Sequence, residues 1–379
     1  MWQNSFSKWC ILLFLWLPFG ADAQEVHQDF KEQVRADVLE IVSEHEREIT
    51  GTDAFATVQE VRAVLREGER AGEVVRFEHE FVPLEAGDHI FVNRTVTISG
   101  DEYITYADFE RRPVLAILAG LFVILLLVLA RWQGVRALLS LAASIFAIFF
   151  LLMPALLAGY DPVLASVVIA GGILALVLFG THGFTPRSII AFVGTFSAVV
   201  VTCLIAWLST TTMRLSGFGS DASVYLNFAT NGSLDLAGLL LGSIIIGILG
   251  VLDDVSITQA SVVEQLKHAN PAFQFSDLYQ RAITVGRDHI GSLVNTLALA
   301  YVGVSLPLIL LYVRAESSLL LSVNQEVVAA EIVRILVGSI GLMLAVPATT
   351  AVAAWYFSKH KVDEEPETSP CAHGHGHSH

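Results

Sequence analysis

The sequence predicts a mainly α-helical membrane bundle behind a small N-terminal β-rich domain. Hydrophobic residues make up 54% of the 379 residues, and charged residues only 16%. Apolar stretches long enough to cross a hydrocarbon core of about 30 Å recur through the C-terminal two thirds. The N-terminal third instead alternates apolar and polar residues over short stretches, with glycines near the breaks. Together these patterns predict two parts of different character.

The first 23 residues have the features of an export signal. Lys8 precedes the apolar run Trp9–Leu17, and the sequence Ala21-Asp22-Ala23 follows. This run is too short to span a membrane, and A-x-A patterns mark cleavage sites. We expect cleavage after Ala23, with an uncleaved anchor as the alternative.

Residues 24–112 contain no spanning segment and form the predicted extracytoplasmic domain. Five short strands in this length indicate a small barrel of OB type. A helix at Phe30–Glu44 is the competing interpretation. The predicted strands are Val34–Ser43, Ala54–Arg66, Gly72–Val82, His89–Ile98 and Glu102–Tyr106.

The charge of the chain is concentrated in this domain. Residues 24–112 hold 10 Lys and Arg against 21 Asp and Glu, within a net charge of -15 for the whole chain. Nucleic-acid binding needs a basic patch, so the balance argues against that class of partner. A solvated acidic surface is the expected consequence.

Seven apolar spans are predicted in the membrane domain, residues 113–358. Export of the N-terminus places it outside, and seven crossings then place the C-terminus inside. The positive-inside rule agrees, because predicted inner segments hold eight Arg or Lys and the outer loops hold three. A bacterial plasma-membrane protein in contact with the lipid bilayer is expected. The spans are Val114–Ala130, Val135–Met153, Val163–Gly180, Ile189–Leu208, Leu234–Leu252, Ser292–Val313 and Ile335–Phe357.

The predicted inner segment 253–291 begins with a cluster of carboxylates at the end of the fifth span. If the helix continues, Asp253, Asp254, Ser261 and Glu264 fall within a sector of about 100°. Carboxylates near a membrane usually face a bundle interior or a water-filled path. Such a cluster can carry protons or bind a cation. The alternative is that the two aspartates only mark the wet end of the span.

A second polar stripe enters the sixth span. With Asp288 at 0°, Ser292 lies at about 40° and Asn295 at about 340°, and Thr296 is adjacent. Ser276 is the expected N-cap of the amphipathic stretch 276–289 that precedes it. An intramembrane Asn ordinarily bonds to another helix, but the two stripes on successive spans favour a shared polar site.

These two stretches resemble the YibE/F family of multi-pass membrane proteins. The first reads GILGVLDDVSIT from Gly247, and the second reads RDHIGSLVNTLALAYVG over residues 287–303. Gln59-Glu60-Val61, Gly72-Glu73-Val74-Val75 and Ala86-Gly87-Asp88 extend the similarity, which covers most of residues 50–357. The resemblance implies a membrane architecture and no particular reaction.

A weaker similarity is to the membrane halves of SecD/SecF and related RND exporters. Those proteins place an Asp at the end of a Gly-rich span, followed by a Glu-containing helix and a span opening with Asn-Thr. Here Asp253 or Asp254, Glu264 and Asn295-Thr296 stand in those places. Proton-coupled movement follows only by analogy, because fold does not establish function.

The C-terminal tail, residues 359–379, is low in complexity and expected to be disordered. Imidazoles suit divalent metals, so the tail is a candidate metal-binding segment, and a divalent metal is the one cofactor considered. An incidental tail is the alternative. Its alternating histidines are His373, His375, His377 and His379.

A secondary transporter or exporter component for a small ion or solute is the leading functional hypothesis, with its polar site between the fifth and sixth spans. A non-transporting assembly or chaperone-like factor, working through the extracytoplasmic domain, is the alternative. An enzyme is not expected, since no HExxH, GxSxG or P-loop motif occurs. An oligomer is compatible with either hypothesis.

Overall fold

A computed structural model describes residues 30–49, 51, 55–80, 82–97, 101–314 and 318–360. These fall into two compact units, one ending at Phe122 and the other beginning at Val123. The predicted export signal and the His-rich tail, with His373, His375, His377 and His379, lie outside the described residues.

Five strands form the first unit, as the alternating patterns predict. The alternative helix at Phe30–Glu44 is wrong, because this stretch lies in a strand. Val34, Ala36 and Val38 are at most 2% exposed, which is the period of two of a half-buried strand. The strands are β1 Phe30–Glu48, β2 Phe55–Leu65, β3 Val74–Glu80, β4 His89–Val96 and β5 Glu102–Phe109.

The strands make one antiparallel sheet in the order β3-β2-β1-β4-β5. β1 is long enough to pair with β2 along one part and with β4 along another. The sheet curls into a half-barrel, so that side chains of the edge strands β3 and β5 meet, as His79 does with Tyr106 at 4.0 Å between ring centroids. Inside the curve lies a core that includes Val61, Phe77 and Ile90.

Helices form almost all of the rest of the described chain. Helix α1 is followed directly by a π-helical turn, Ile148–Leu152, and then by α2. The helices are α1 Arg112–Ala147, α2 Met153–Leu157, α3 Pro162–His182, α4 Pro186–Met213, α5 Asp221–Ala229, α6 Leu236–Ala269, α7 Phe275–Val304, α8 Leu306–Arg314, α9 Leu319–Asn324 and α10 Glu326–Lys359.

Five helical stretches among the described residues are long and apolar enough to cross a membrane. The number of such stretches is six if α7 and α8, which are bent by 63° at their junction, are counted as one span. The first stretch, Arg112–Leu157, contains a kink where Arg131 has a φ of 51° and a ψ of -128°. This kink falls between the first two predicted spans. The count of seven spans stays a prediction.

Local sequence explains where the long helices begin. Asp161 and Thr185 each accept a hydrogen bond from the backbone N–H three residues later, and proline follows each of them. Asp235 caps α6 in the same way, with Gly238 as donor at 3.0 Å. Such caps satisfy backbone donors that a helix cannot satisfy itself, and proline costs nothing at the first helical position.

Small residues let the long helices approach closely. A Cβ added at Gly194 of α4 would lie 2.7 Å from the Thr349 Cα of α10, closer than real Cβ contacts come. Gly338 of α10 meets Ile248 of α6 similarly, at 2.8 Å. Small residues at helix contacts are characteristic of membrane bundles. The result is a packed group of α3, α4, α6, α7 and α10 around one apolar core.

Candidate functional site

Helix α6 carries the first half of the predicted polar site. It runs unbroken from Leu236 to Ala269, so the expected helical continuation through residues 253–264 is confirmed. Asp253 is half-buried and Asp254 is exposed. The Asp253 carboxylate accepts a hydrogen bond from the Asp254 backbone N–H at 2.8 Å. The two adjacent carboxylates therefore sit in different surroundings.

Asp254 and Ser261 line an open cavity of about 600 Å³, here called the Asp254 cavity. This volume lies in the range of small-molecule sites. Its other walls come from α1, α3 and α4 among the described residues. The remaining lining residues are Gln133, His182, Arg187, Ile257, Thr258, Val262, Gln265 and Leu266.

An ion pair stands at this cavity. The guanidinium of Arg187, near the start of α4, donates to the carboxylate of Glu264 on α6. The Glu264 side chain is only 14% exposed and that of Arg187 35%. A pair this shielded is screened less than a surface pair and needs good geometry to offset desolvation. Glu264 therefore reaches the cavity region as half of an ion pair rather than as a free carboxylate.

Among the described residues, three polar side chains from outside α6 line the cavity, and His182 is one of them, with Gln133 and Arg187. It is half-buried at the end of α3. Glu264 does not line the cavity but pairs with Arg187, so Asp254 is the uncompensated charge on its described walls. A negative cavity with hydroxyl and amide groups suits a small cation or a proton better than an anion.

A buried polar seam joins α6 to its neighbours next to the cavity. Gln259 is 3% exposed and donates through Nε2 to the Ala282 carbonyl of α7 at 2.8 Å. Thr349 of α10 donates to Ser256 of α6 at 3.1 Å, and both are fully buried. Buried polar groups satisfied across helices fix how the helices pack. These bonds hold α6 in place behind the carboxylates.

The second predicted stripe lies apart from the first. Asp288, Ser292, Asn295 and Thr296 are all exposed on α7, and none of them lines the Asp254 cavity. The face of α7 that packs on the bundle is instead the one with Leu278, Ala282, Ile283, Gly286 and Leu297. The expectation of one shared wall between the fifth and sixth spans thus gains no support within a single chain.

The expected N-cap Ser276 is wrong. Helix α7 begins at Phe275, one residue earlier, and Gln274 occupies the cap position. The Asp277 carboxylate accepts a hydrogen bond from the Gln274 backbone N–H at 3.1 Å. The Asp277 carboxylate, three positions into the helix, therefore caps the start of α7, whereas the Ser276 hydroxyl does not occupy the cap position.

A second cavity, of about 400 Å³, lies at the other end of α6 and α10 and is here called the Glu326 cavity. The Glu326 carboxylate accepts hydrogen bonds from Ser216 and from the Gly217 N–H. Arg334 pairs with Glu331, and its second amino group lies 3.4 Å from the Ser243 hydroxyl. Ser243 and Asp254 are about 16 Å apart along α6 at 1.5 Å per residue.

Charged side chains of the β unit form surface ion pairs. Hydrogen bonds from Arg94 hold the pKa of Glu102 below its usual range, partial burial opposes this, and Arg70 adds to it. Burial lowers the pKa of His79, which the backbone of Val82 and the charge of Glu80 offset only in part. Surface pairs of this kind contribute little stability, and no reactive pair of side chains is evident in them.

Sequence reasoning missed the partners of α6. Neither Arg187 nor His182 is among the predicted site residues, yet both line the Asp254 cavity. A signal was present, since both flank the short turn between α3 and α4. The pairing of Arg187 with a residue 77 positions away had no local signal.

No group of three or more His, Cys, Asp or Glu side chains among the described residues lies close enough to hold a metal ion. The tail histidines lie outside that part of the chain, so metal binding there stays a prediction.

Comparison with known proteins places the chain in one family. The YibE/F-like protein family matches residues 118–359, which is more than half of the chain and includes both polar stripes. No curated protein and no solved structure matches this chain. The match and the apolar helices fit a membrane protein. The resemblance expected from the two motifs is thereby confirmed, and the chain belongs to the YibE/F family.

Proposed function

We propose that this chain is a multi-pass membrane protein that moves a small cation or proton, as a secondary transporter or as part of an exporter. The Asp254 cavity carries the proposal. It brings Asp254 and hydroxyls of α6 together with His182 of α3 and with the shielded ion pair of Arg187 and Glu264. Helix α6 is otherwise apolar enough to span a membrane. Such groups within membrane helices are costly and usually serve a pathway.

The proposed path follows α6 from the Asp254 cavity to the Glu326 cavity. Both cavities share α6, and the stretch between them includes Gly247, whose added Cβ would lie 2.5 Å from the Tyr301 hydroxyl of α7. Asp253 stands at the inner end of this stretch, half-buried beside Asp254.

In the proposed topology the mature N-terminus lies outside a bacterial plasma membrane and the C-terminus lies in the cytoplasm. The kink at Arg131 divides Arg112–Leu157 into two spans, and α7 with α8 makes one broken span. That division gives seven crossings. The Asp254 cavity then opens toward the cytoplasm and the Glu326 cavity toward the outside. The β unit is the extracytoplasmic domain, a partly open OB-type barrel.

A flux assay tests the proposal. The purified full chain is reconstituted into liposomes, and proton, K⁺, Na⁺, Zn²⁺ and Ni²⁺ movement is followed with internal dyes under an imposed pH gradient or potential. We expect movement of at least one of these ions, lost in the double variant Asp253→Asn/Asp254→Asn. Asp277→Asn is the matched control, because that carboxylate is exposed at the start of α7.

Unchanged flux in the double variant would overturn the assignment to this cavity. Flux equal to that of protein-free liposomes for every ion would overturn the transporter proposal in this form. Total metal content of cells with and without the chain, and with and without residues 373–379, separates a metal from a proton as the transported species.

A second candidate function is a membrane assembly or chaperone-like factor. The favouring observation is that both edge strands of the half-barrel carry large exposed apolar side chains, Val74 at 44% on β3 and Tyr103 at 57% on β5. Edge strands can pair with an extended segment of another protein. If residues 24–112 tethered to an unrelated span rescue a deletion strain, this function is favoured over transport.

A further inference from the structure

The exposed polar face of α7, consisting of Asp288, Ser292, Asn295 and Thr296, is not explained by the path along α6. At 100° per residue, Asp288, Ser292 and Asn295 lie within a sector of about 60°. All are exposed, whereas the opposite face of the same helix is buried against the bundle. The face is therefore turned away from every helix that packs on α7 in the described part of the chain.

Asn295 is the critical side chain of this face. It lies five residues beyond Ile290, about 7.5 Å farther along the helix. Thr296 satisfies its hydroxyl by donating to the Ser292 carbonyl at 2.9 Å, within its own helix. The Asn295 amide makes no such bond to the described residues. An amide left facing lipid tails is unfavourable, because nothing there can bond to it.

The chemistry of the face indicates what covers it. An amide donates and accepts equally, so an identical amide complements it. Arg287 and Asp288 carry opposite charges on adjacent residues at the same end of the face, so a two-fold axis can bring the arginine of one copy near the aspartate of the other. The apolar run Val114–Ala130 of this chain contains no polar side chain and offers no such partner.

We propose that two copies of this chain pair through the exposed polar face of α7, with the two Asn295 amides hydrogen-bonded across a two-fold axis. Ser292 and Asp288 of both copies line the same seam. The pairing does not depend on whether the protein transports anything, so its test is separate from the flux assay.

Cysteine cross-linking in membranes tests the pairing. In the full chain, the three native cysteines, Cys10, Cys203 and Cys371, are replaced by alanine, and Ser292→Cys is introduced, which leaves both Asn295 amides in place. Mild oxidation is expected to give a disulfide-linked species of twice the mass of the mature chain. Leu204→Cys is the control, because that residue is 60% exposed on α4, away from the proposed interface. We expect little dimer from it.

Cross-linking at position 292 no stronger than at position 204 would overturn the pairing, and so would a cross-linked product with a different protein. A second measurement uses dilution in lipid bilayers. Asn295→Leu should weaken the dimer by about tenfold in dissociation constant, and Asn295→Gln should restore most of it. An unchanged constant in Asn295→Leu contradicts the proposed amide bond. If Asn295→Leu fails to accumulate, the Ser292→Cys cross-linking, in which the Asn295 amides are unaltered, decides the question.

Discussion

The β unit and the helical unit sort their side chains in opposite ways. In the β unit the buried residues are almost all apolar and the charges form ion pairs on the surface. In the helical unit large apolar residues point outward, with Leu129 80% exposed and its neighbour Val128 70% exposed. Hydroxyls and amides, such as Thr202 and Gln259, are buried instead.

Each pattern matches a different solvent. Water favours burial of apolar surface, which stabilises the β unit at about 25 cal/mol per Å². Lipid gives helices no such advantage, so close packing of small residues and interhelical hydrogen bonds must hold them together. The two units should therefore respond differently to the same kind of substitution.

The largest expected effect is on the tight contact between α4 and α10. Gly194→Ala adds a methyl group 2.7 Å from the Thr349 Cα, and backbone cannot easily yield. We expect a loss of about 2–3 kcal/mol, as overpacked cores show. The measurement is thermal unfolding in detergent, followed by a thiol-reactive dye on half-buried Cys203.

Gly172→Ala is the matched control, because nothing lies within 4 Å of a Cβ at that position of α3. Alanine should leave stability unchanged or raise it by up to about 1 kcal/mol, as helix propensity predicts. Equal destabilisation of the two variants would show that close approach at Gly194 does not matter.

The next effect concerns the few buried polar groups of the β unit. Gln59 is 4% exposed, and its Oε1 accepts from the Leu84 N–H at 2.7 Å. Gln59→Ala leaves that donor buried without an acceptor, which costs about 2 kcal/mol. Hydrogen exchange of β-unit amides in the full chain measures it. Gln33→Ala, at an exposed position of β1, should change protection by less than about 0.5 kcal/mol, and a similar loss there would contradict the explanation.

The smallest effect is a pH dependence confined to the β unit. The pKa of His79 is lower in the fold than its ordinary value of about 6.5, because burial disfavours the charged ring. The unfolded chain therefore binds the proton more readily, and stability should decrease as pH falls below about 6.5. Replacing His79 with Phe should flatten the dependence of β-unit protection in that window. An unchanged slope of protection against pH would show that groups other than His79 cause the pH dependence.

The strands and most helices could be predicted because their signals are local. Alternation at Val34, Ala36 and Val38 marks β1, and Asp161 with Pro162 marks the start of α3. Periodicity also placed Asp253, Asp254 and Glu264 on one sector of α6. These features depend on residues a few positions apart, which is the range over which a sequence pattern is informative.

The partners of that sector could not be predicted. Periodicity shows that α7 has a polar face but not which face packs on α6, and the structure turns Asn295 outward. It also cannot show that Arg187 pairs with Glu264, since side chains far apart in sequence meet only through the packing of whole helices. The backbone geometry of the kink at Arg131 could not be predicted either, because no residue type at that position requires it.

The central claim is that the Asp254 cavity is filled with water and opens toward the cytoplasm. Ser261→Cys and Thr258→Cys, introduced singly into a chain whose native cysteines are replaced by alanine, place a thiol on its wall. Leu204→Cys, exposed on α4, places one in the lipid-facing surface. A membrane-impermeant thiol reagent should label both cavity positions in inside-out vesicles, rapidly and from that side alone, while position 204 stays unlabelled. Labelling no faster than at position 204, or labelling only from the outer side, would contradict the proposed path.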